Sequence, residues 1–100
     1  YDTFVRHNLP VISVIGNDAC WTQIARDQVD FLKSDCAMNL AYSDYQNIGK
    51  AFGADGARVG NIEGFNQAVA DAQRQSRAGV PYVINAIIGK TDFRKGSLSM

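Results

Sequence analysis

The stretch that most limits what this chain can fold into is VISVIGNDACWTQ, residues 11–23. From Pro10 to Gly16 the apolar and β-branched residues follow one another without the alternation of a half-exposed strand. Burial on both faces produces such a run, so it predicts a central strand of a parallel sheet. Gly16 ends the strand, and Asn17, Asp18 and Thr22 are residue types that cap helices. Thr22–Leu32 then carries Ile24, Ala25, Val29 and Leu32 on one side and predicts an amphipathic helix. The result is a strand that runs through a short polar loop straight into a helix.

The rest of the chain repeats this grammar. Tyr1–Asn8 reads as the last turns of a helix stopped by Pro10, with His7 a polar residue near its end. Cys36–Tyr42 is short and apolar, either an edge strand or an extended connector. Ser43 is placed to cap a helix over Asp44–Phe52, with Tyr45, Ile48 and Phe52 on one stripe, and a short strand follows at Ala57–Val59. Asn61 is expected to cap a long helix over Ile62–Ala78, with Phe65, Ala68, Val69 and Ala72 inward and Asp71, Arg74, Gln75 and Arg77 outward. Val80–Gly89 is a second strand buried on both faces, with Pro81 at its entry. Single helices between strands give right-handed crossovers, hence an α/β fold: a parallel sheet with helices on both faces.

Composition narrows the function classes. Ten basic and ten acidic residues balance and form no basic block, which disfavours a nucleic-acid role. No apolar run approaches the ~20 residues of a membrane span, and no signal-peptide pattern stands at Tyr1. The two cysteines, Cys20 and Cys36, lack both a disulfide framework and zinc spacing with the single His7, so free thiols are expected.

Chemistry is concentrated in the Gly16–Trp21 loop. In open parallel sheets ligands bind beyond the carboxyl ends of the strands. Asn17 and Asp18 offer hard oxygens, a nearby backbone carbonyl adds another, and such donors suit Mg²⁺, which completes its octahedron with phosphate and water. The following helix brings N–H groups and a positive dipole end to a phosphate. The bland alternative is that Asn17 and Asp18 only cap that helix, a common joint in α/β folds.

PVISVIGNDACWTQIARDQV, then LAYSDYQNIGKAFGADG, then AGVPYVINAIIGKTDFRKGS together resemble the C-terminal cofactor-binding domain of thiamine-diphosphate enzymes. Within these the likeness is to the acetolactate-synthase-like branch that includes the 2-hydroxyacyl-CoA lyases, and it spans essentially the whole chain. That family joins a Gly-Asp-Gly motif on one strand to an Asn-Asn motif on the next. The Asp, the second Asn and a backbone carbonyl two residues beyond it hold the Mg²⁺ that clamps the cofactor diphosphate. Gly16-Asn17 stands where Asn-Asn is expected, so the resemblance implies metal ligation by Asn17 and by the Ala19 carbonyl. Gly16, Asn17, Asp18, Ala19, Cys20 and Trp21 are then the cofactor-binding loop, with Asp18 a spacer. Cys20 falls where Gly is frequent, and the Gly-Asp-Gly motif would lie upstream of Tyr1. Trp21 either packs on the cofactor or buries itself beneath the loop.

The resemblance assigns residues 1–89 to the C-terminal part of the cofactor domain and residues 90–100 to a tail. It places the activating Glu in another domain; Glu63 reads only as a first-turn helix residue, and no catalytic residue is assigned in this chain. Tyr42 and Tyr45 are expected in core or interface. Lys90, Arg94 and Lys95 form either a solvated end or a strap over an acyl-CoA. The implied enzyme depends on thiamine diphosphate and Mg²⁺ and makes or breaks a C–C bond next to a carbonyl. It is a 2-hydroxyacyl-CoA lyase giving an aldehyde and formyl-CoA, or an acetolactate-synthase-type condensing enzyme; a non-catalytic module of the same fold is the remaining option. A homodimer or homotetramer is implied for the whole enzyme, and the isolated fragment is expected to be inactive. Ser97–Met100 is not a peroxisomal signal, which points to an endoplasmic-reticulum lyase anchored outside this stretch, or else to the cytoplasm.

Overall fold

The computed structural model describes residues 1–90. In chain order the elements are α1 (Asp2–Arg6), β1 (Ile12–Asn17), α2 (Thr22–Leu32), α3 (Gln46–Ala51), β2 (Asp55–Val59), α4 (Ile62–Arg77) and β3 (Tyr82–Ile87). The three strands form one parallel sheet in the order β1-β3-β2. The apolar run before Gly89 is the middle strand, and Pro81 sits buried at its entry, where a missing N–H does least harm.

Helices cover both faces. On one face α4 packs against Val59, Tyr82 and Ile84 through Ala68 and Ala72, with Phe65 and Val69 at the margin. Small residues at the contact let this helix lie close to the sheet. Asn61 caps α4, its Oδ1 accepting from the Gly64 N–H at 2.7 Å. Tyr82 is almost fully buried here, and burial pushes its hydroxyl above the usual tyrosine range, so it stays neutral. Gln75 turns inward rather than outward and donates to Asp55 Oδ2.

On the other face α3 packs against β2 and β3. Gly49 faces the Val83 side chain, and Gly56 faces both the Val83 carbonyl and Gln46. The expected Tyr45–Ile48–Phe52 stripe is therefore displaced: Ile48 and Phe52 are half-exposed, whereas Gln46 and Gly49 are the buried residues of the helix. Two glycines allow backbone-close packing, and a polar side chain points inward because partners wait for it there. The helix is also shorter than expected. Its entry carries no side-chain cap, so the Ser43 hydroxyl does not perform the capping role foreseen for it.

Two further expectations change. Among the described residues β1 is not flanked on both sides: it pairs only with β3, and Val14 is 55% exposed and Ile12 39%. α4 covers β2 and β3 but stops short of β1, which leaves that strand's apolar side chains uncovered among the described residues. α2 forms over the predicted span, yet buries no residue, with Phe31 83% and Leu32 70% exposed. Cys36–Tyr42 is a connector, joined to the loop after β1 by an antiparallel bridge between Asn39 and Cys20. Both cysteines are free thiols, and residues 91–100, with Arg94 and Lys95, lie outside the described part.

Two outcomes follow from this packing. A Cβ at position 56 would stand 2.7 Å from the Val83 backbone oxygen, which cannot rotate away. Gly56→Ala should therefore lower the unfolding free energy of the chain by about 1–3 kcal/mol in urea titration; an unchanged midpoint would refute the close approach. Arg58 Nη1 donates to Asp44 Oδ1 at 2.7 Å and to the Tyr42 carbonyl. That guanidinium, helped by Gln46, holds the Asp44 carboxyl below its usual pKa of 3.8. A depressed folded-state pKa contributes stability that is present above the unfolded value and lost as pH falls through the folded one. Arg58→Ala should raise the Asp44 pKa toward the ordinary carboxylate range, read by NMR titration of its side chain, and remove the larger part of that acid-limb contribution.

Candidate functional site

β1 and β3 end side by side, Asn17 opposite Ile87, and the Ile88 N–H donates to the Asn17 carbonyl. In a parallel pair of this register Asn17 and Asn85 lie on the same face, the one α3 covers. Asn17 is 4% exposed and Asn85 fully buried. A buried amide must find partners for its donors and its acceptor, and here the two asparagines find each other. Asn17 Nδ2 donates to Asn85 Oδ1 at 3.2 Å and to the Ser43 carbonyl at 3.3 Å. Asn85 Nδ2 donates to the same Ser43 carbonyl and to Gln46 Oε1, both at 2.9 Å. Among the described residues no buried side-chain polar atom is left without a partner.

The loop after β1 is equally well laced. Asn17 Oδ1 accepts from the Ala19 N–H at 3.1 Å, and Asp18 Oδ1 from the Cys20 N–H at 3.1 Å. Asp18 Oδ2 also takes the Thr22 hydroxyl. The Ala19 carbonyl accepts from the Leu40 N–H at 2.7 Å, and the Trp21 N–H donates to the Met38 carbonyl. Lys90 Nζ donates to Asn39 Oδ1 and ties the segment after β3 to the same connector. Ala19 is buried with φ at 53°, a left-handed conformation that reverses the chain within the loop. Cys20 has no such φ, so its side chain meets no backbone requirement for glycine.

These bonds bear on the capping alternative. The oxygens of Asn17 and Asp18 are spent on loop N–H groups, on the Thr22 hydroxyl, or left open, and no side chain caps α2. Among the described residues, the start of this 11-residue helix therefore has no side-chain cap. Gly16 lies against the end of the Ile88 side chain. Trp21 does not bury itself beneath the loop: it is 54% exposed and walls an open groove of roughly 860 Å³ with Asp18, Cys20, Thr22, Phe31 and Leu32. Tyr42 is exposed, Tyr45 half-buried, Glu63 exposed in the first turn of α4, and His7 exposed beyond α1.

Among the described residues no group of three His, Cys, Asp or Glu is placed to hold a metal. The donors on offer are an amide oxygen and a backbone carbonyl, two residues apart. Each accepts one hydrogen bond and keeps a second lone pair. Hard, neutral oxygens of this kind fit Mg²⁺ and not a soft metal. An acceptor for phosphate charge lies next to them at the start of α2. The loop thus fits a Mg²⁺–diphosphate group as a partial clamp.

Sequence reasoning found the loop but missed Asn85, Gln46 and the Ser43 carbonyl, which hold it. A signal was present: Asn85 is the single polar residue in an otherwise apolar run buried on both faces, and such a residue requires partners.

Residues 1–86 match the thiamine pyrophosphate enzyme, C-terminal TPP binding domain. The human 2-hydroxyacyl-CoA lyase 2 is 47% identical over 102 residues, covering all of this chain and 16% of the human protein. The Caenorhabditis elegans protein of the same name is 46% identical over 103 residues, with the same shares covered. Sulfoacetaldehyde acetyltransferase of Alcaligenes xylosoxydans xylosoxydans is 32% identical over 97% of this chain and 17% of its own length. The chain spans about one sixth of the length of these curated relatives. It belongs to the thiamine pyrophosphate enzymes, as the C-terminal domain that binds the cofactor.

Proposed function

We propose that this chain is the cofactor-holding part of a thiamine-diphosphate- and Mg²⁺-dependent carbon–carbon lyase that acts on a 2-hydroxyacyl-CoA and yields an aldehyde and formyl-CoA. The observation that carries this reading is the 47% identity over the whole chain with a relative named 2-hydroxyacyl-CoA lyase 2, against 32% with a sulfoacetaldehyde acetyltransferase.

In this reading Asn17 Oδ1 and the Ala19 carbonyl are the chain's metal ligands. The open N–H groups at the start of α2 receive the diphosphate. Asp18 holds the loop through Cys20 and Thr22 instead of binding metal, and Trp21 lines the approach. Thiamine diphosphate, when bound, supplies the electron sink for breaking a bond next to a carbonyl. The chain's own work is to position the cofactor, and the activating acid–base residue comes from another part of the enzyme.

Two measurements on the full-length enzyme test this. Mg²⁺ titration by calorimetry at saturating thiamine diphosphate should show Asn17→Ala weakened at least ~10-fold, the lower end of what metal-site substitutions cause. Wild-type affinity in that variant would remove Asn17 from the metal site. Turnover should be found with a 2-hydroxyacyl-CoA and be lost on Mg²⁺ chelation. Turnover of pyruvate, with none of the acyl-CoA, would instead support the condensing branch.

A further inference from the structure

We propose that Asn85 is a positioning residue for the metal site: it fixes which end of the Asn17 side-chain amide faces the loop, and so keeps Oδ1 presented to Mg²⁺. The inference rests on the reading of Asn17 as a metal ligand. A side-chain amide has two nearly isosteric orientations, one offering an oxygen and the other an NH₂ that repels a cation. Only the first can ligate. What selects it must be the hydrogen bonds that the two ends of the amide make.

At Asn17 those bonds are on the page. Nδ2 faces two acceptors, Asn85 Oδ1 and the Ser43 carbonyl, while Oδ1 faces the Ala19 N–H. A flip would set oxygen against two oxygens and NH₂ against an N–H, three mismatches in a site almost sealed from water. The lock holds only if Asn85 cannot flip in concert. It cannot, because its own Nδ2 points at Gln46 Oε1 and again at the Ser43 carbonyl. A backbone carbonyl has no donor form. Ser43 is therefore the fixed reference: its carbonyl orients Asn85, and it orients Asn17 both directly and through Asn85. Three elements meet in this relay: the end of β1, the middle of β3 and the entry of α3.

The test uses the full-length enzyme with saturating thiamine diphosphate, Mg²⁺ titrated by calorimetry, and a thermal melt of each variant. Asn85→Leu should weaken Mg²⁺ by ~10–100-fold, the usual effect of losing a partner that orients a ligand. Asn85→Asp retains an oxygen toward Asn17 Nδ2 and should bind Mg²⁺ close to wild type even though a buried carboxyl lowers its melting temperature. In the Asn17→Ala background, Asn85→Leu should bring no further loss, because the residue acts only through Asn17. Wild-type Mg²⁺ affinity in Asn85→Leu, or additive losses in the double variant, would overturn the proposal while leaving Asn17 as a ligand. So would an Asn85→Asp affinity that falls in step with its stability, and this arm decides the matter if Asn85→Leu does not fold. Wild-type affinity in Asn17→Ala itself removes the metal-ligand reading, and the proposal with it.

Discussion

Three buried side-chain amides and one backbone carbonyl have to satisfy one another at the carboxyl end of the sheet. Asn17, Asn85, Gln46 and the Ser43 oxygen do so with four hydrogen bonds. Leaving one such group unpaired costs about 1–3 kcal/mol, a large part of the 5–15 kcal/mol that keeps a domain folded. The core around it is built largely from alanine, valine and isoleucine, so little apolar burial is available to absorb a mismatch. The network therefore constrains its surroundings. It sets the face that α3 turns to the sheet, requires Gly49 and Gly56 so that Gln46 can reach inward, and holds the end of β1 against β3.

That constraint also explains the division of labour in the loop. Asn17 uses its nitrogen on the network and its oxygen on a single loop N–H, so one lone pair remains for a ligand. Asp18 is the more obvious candidate by charge, and each of its oxygens accepts one bond that shapes the loop, from the Cys20 N–H and the Thr22 hydroxyl. In the proposed reading a neutral amide takes the ligand position, and the carboxylate beside it shapes the loop. In contrast, α2 and the free edge of β1 leave apolar side chains uncovered within the described residues, in a chain one sixth the length of its relatives.

Much of this was legible in the residues. Helices α2 and α4, the cap at Asn61 and the two-sided burial of β3 follow from periodicity, cap chemistry and the absence of alternation. The loop at Gly16–Trp21 follows from its place at a strand's carboxyl end. Three features did not follow. The run at Val11–Ile15 looks the same whether a strand is flanked or lies at an edge, because side-chain pattern does not encode which neighbours are present. The inward face of α3 is marked by Gln46 and Gly49, which a search for apolar stripes passes over in favour of Ile48 and Phe52. And the partners of Asn85 come from segments 42 and 39 positions away in sequence, through a backbone oxygen that carries no residue-type signal at all.

The central claim is that the amide oxygen of Asn17, held in one orientation from behind, is a ligand of the cofactor's metal. The most direct check is a crystal structure of the full-length enzyme with thiamine diphosphate and Mn²⁺ in place of Mg²⁺, located by its anomalous signal. The account predicts one peak about 2.1 Å from both Asn17 Oδ1 and the Ala19 carbonyl oxygen, the separation of a hard octahedral cation from its oxygens, with Asn17 Nδ2 still on Asn85. A metal bound instead by Asp18, or a peak away from this loop, would contradict it.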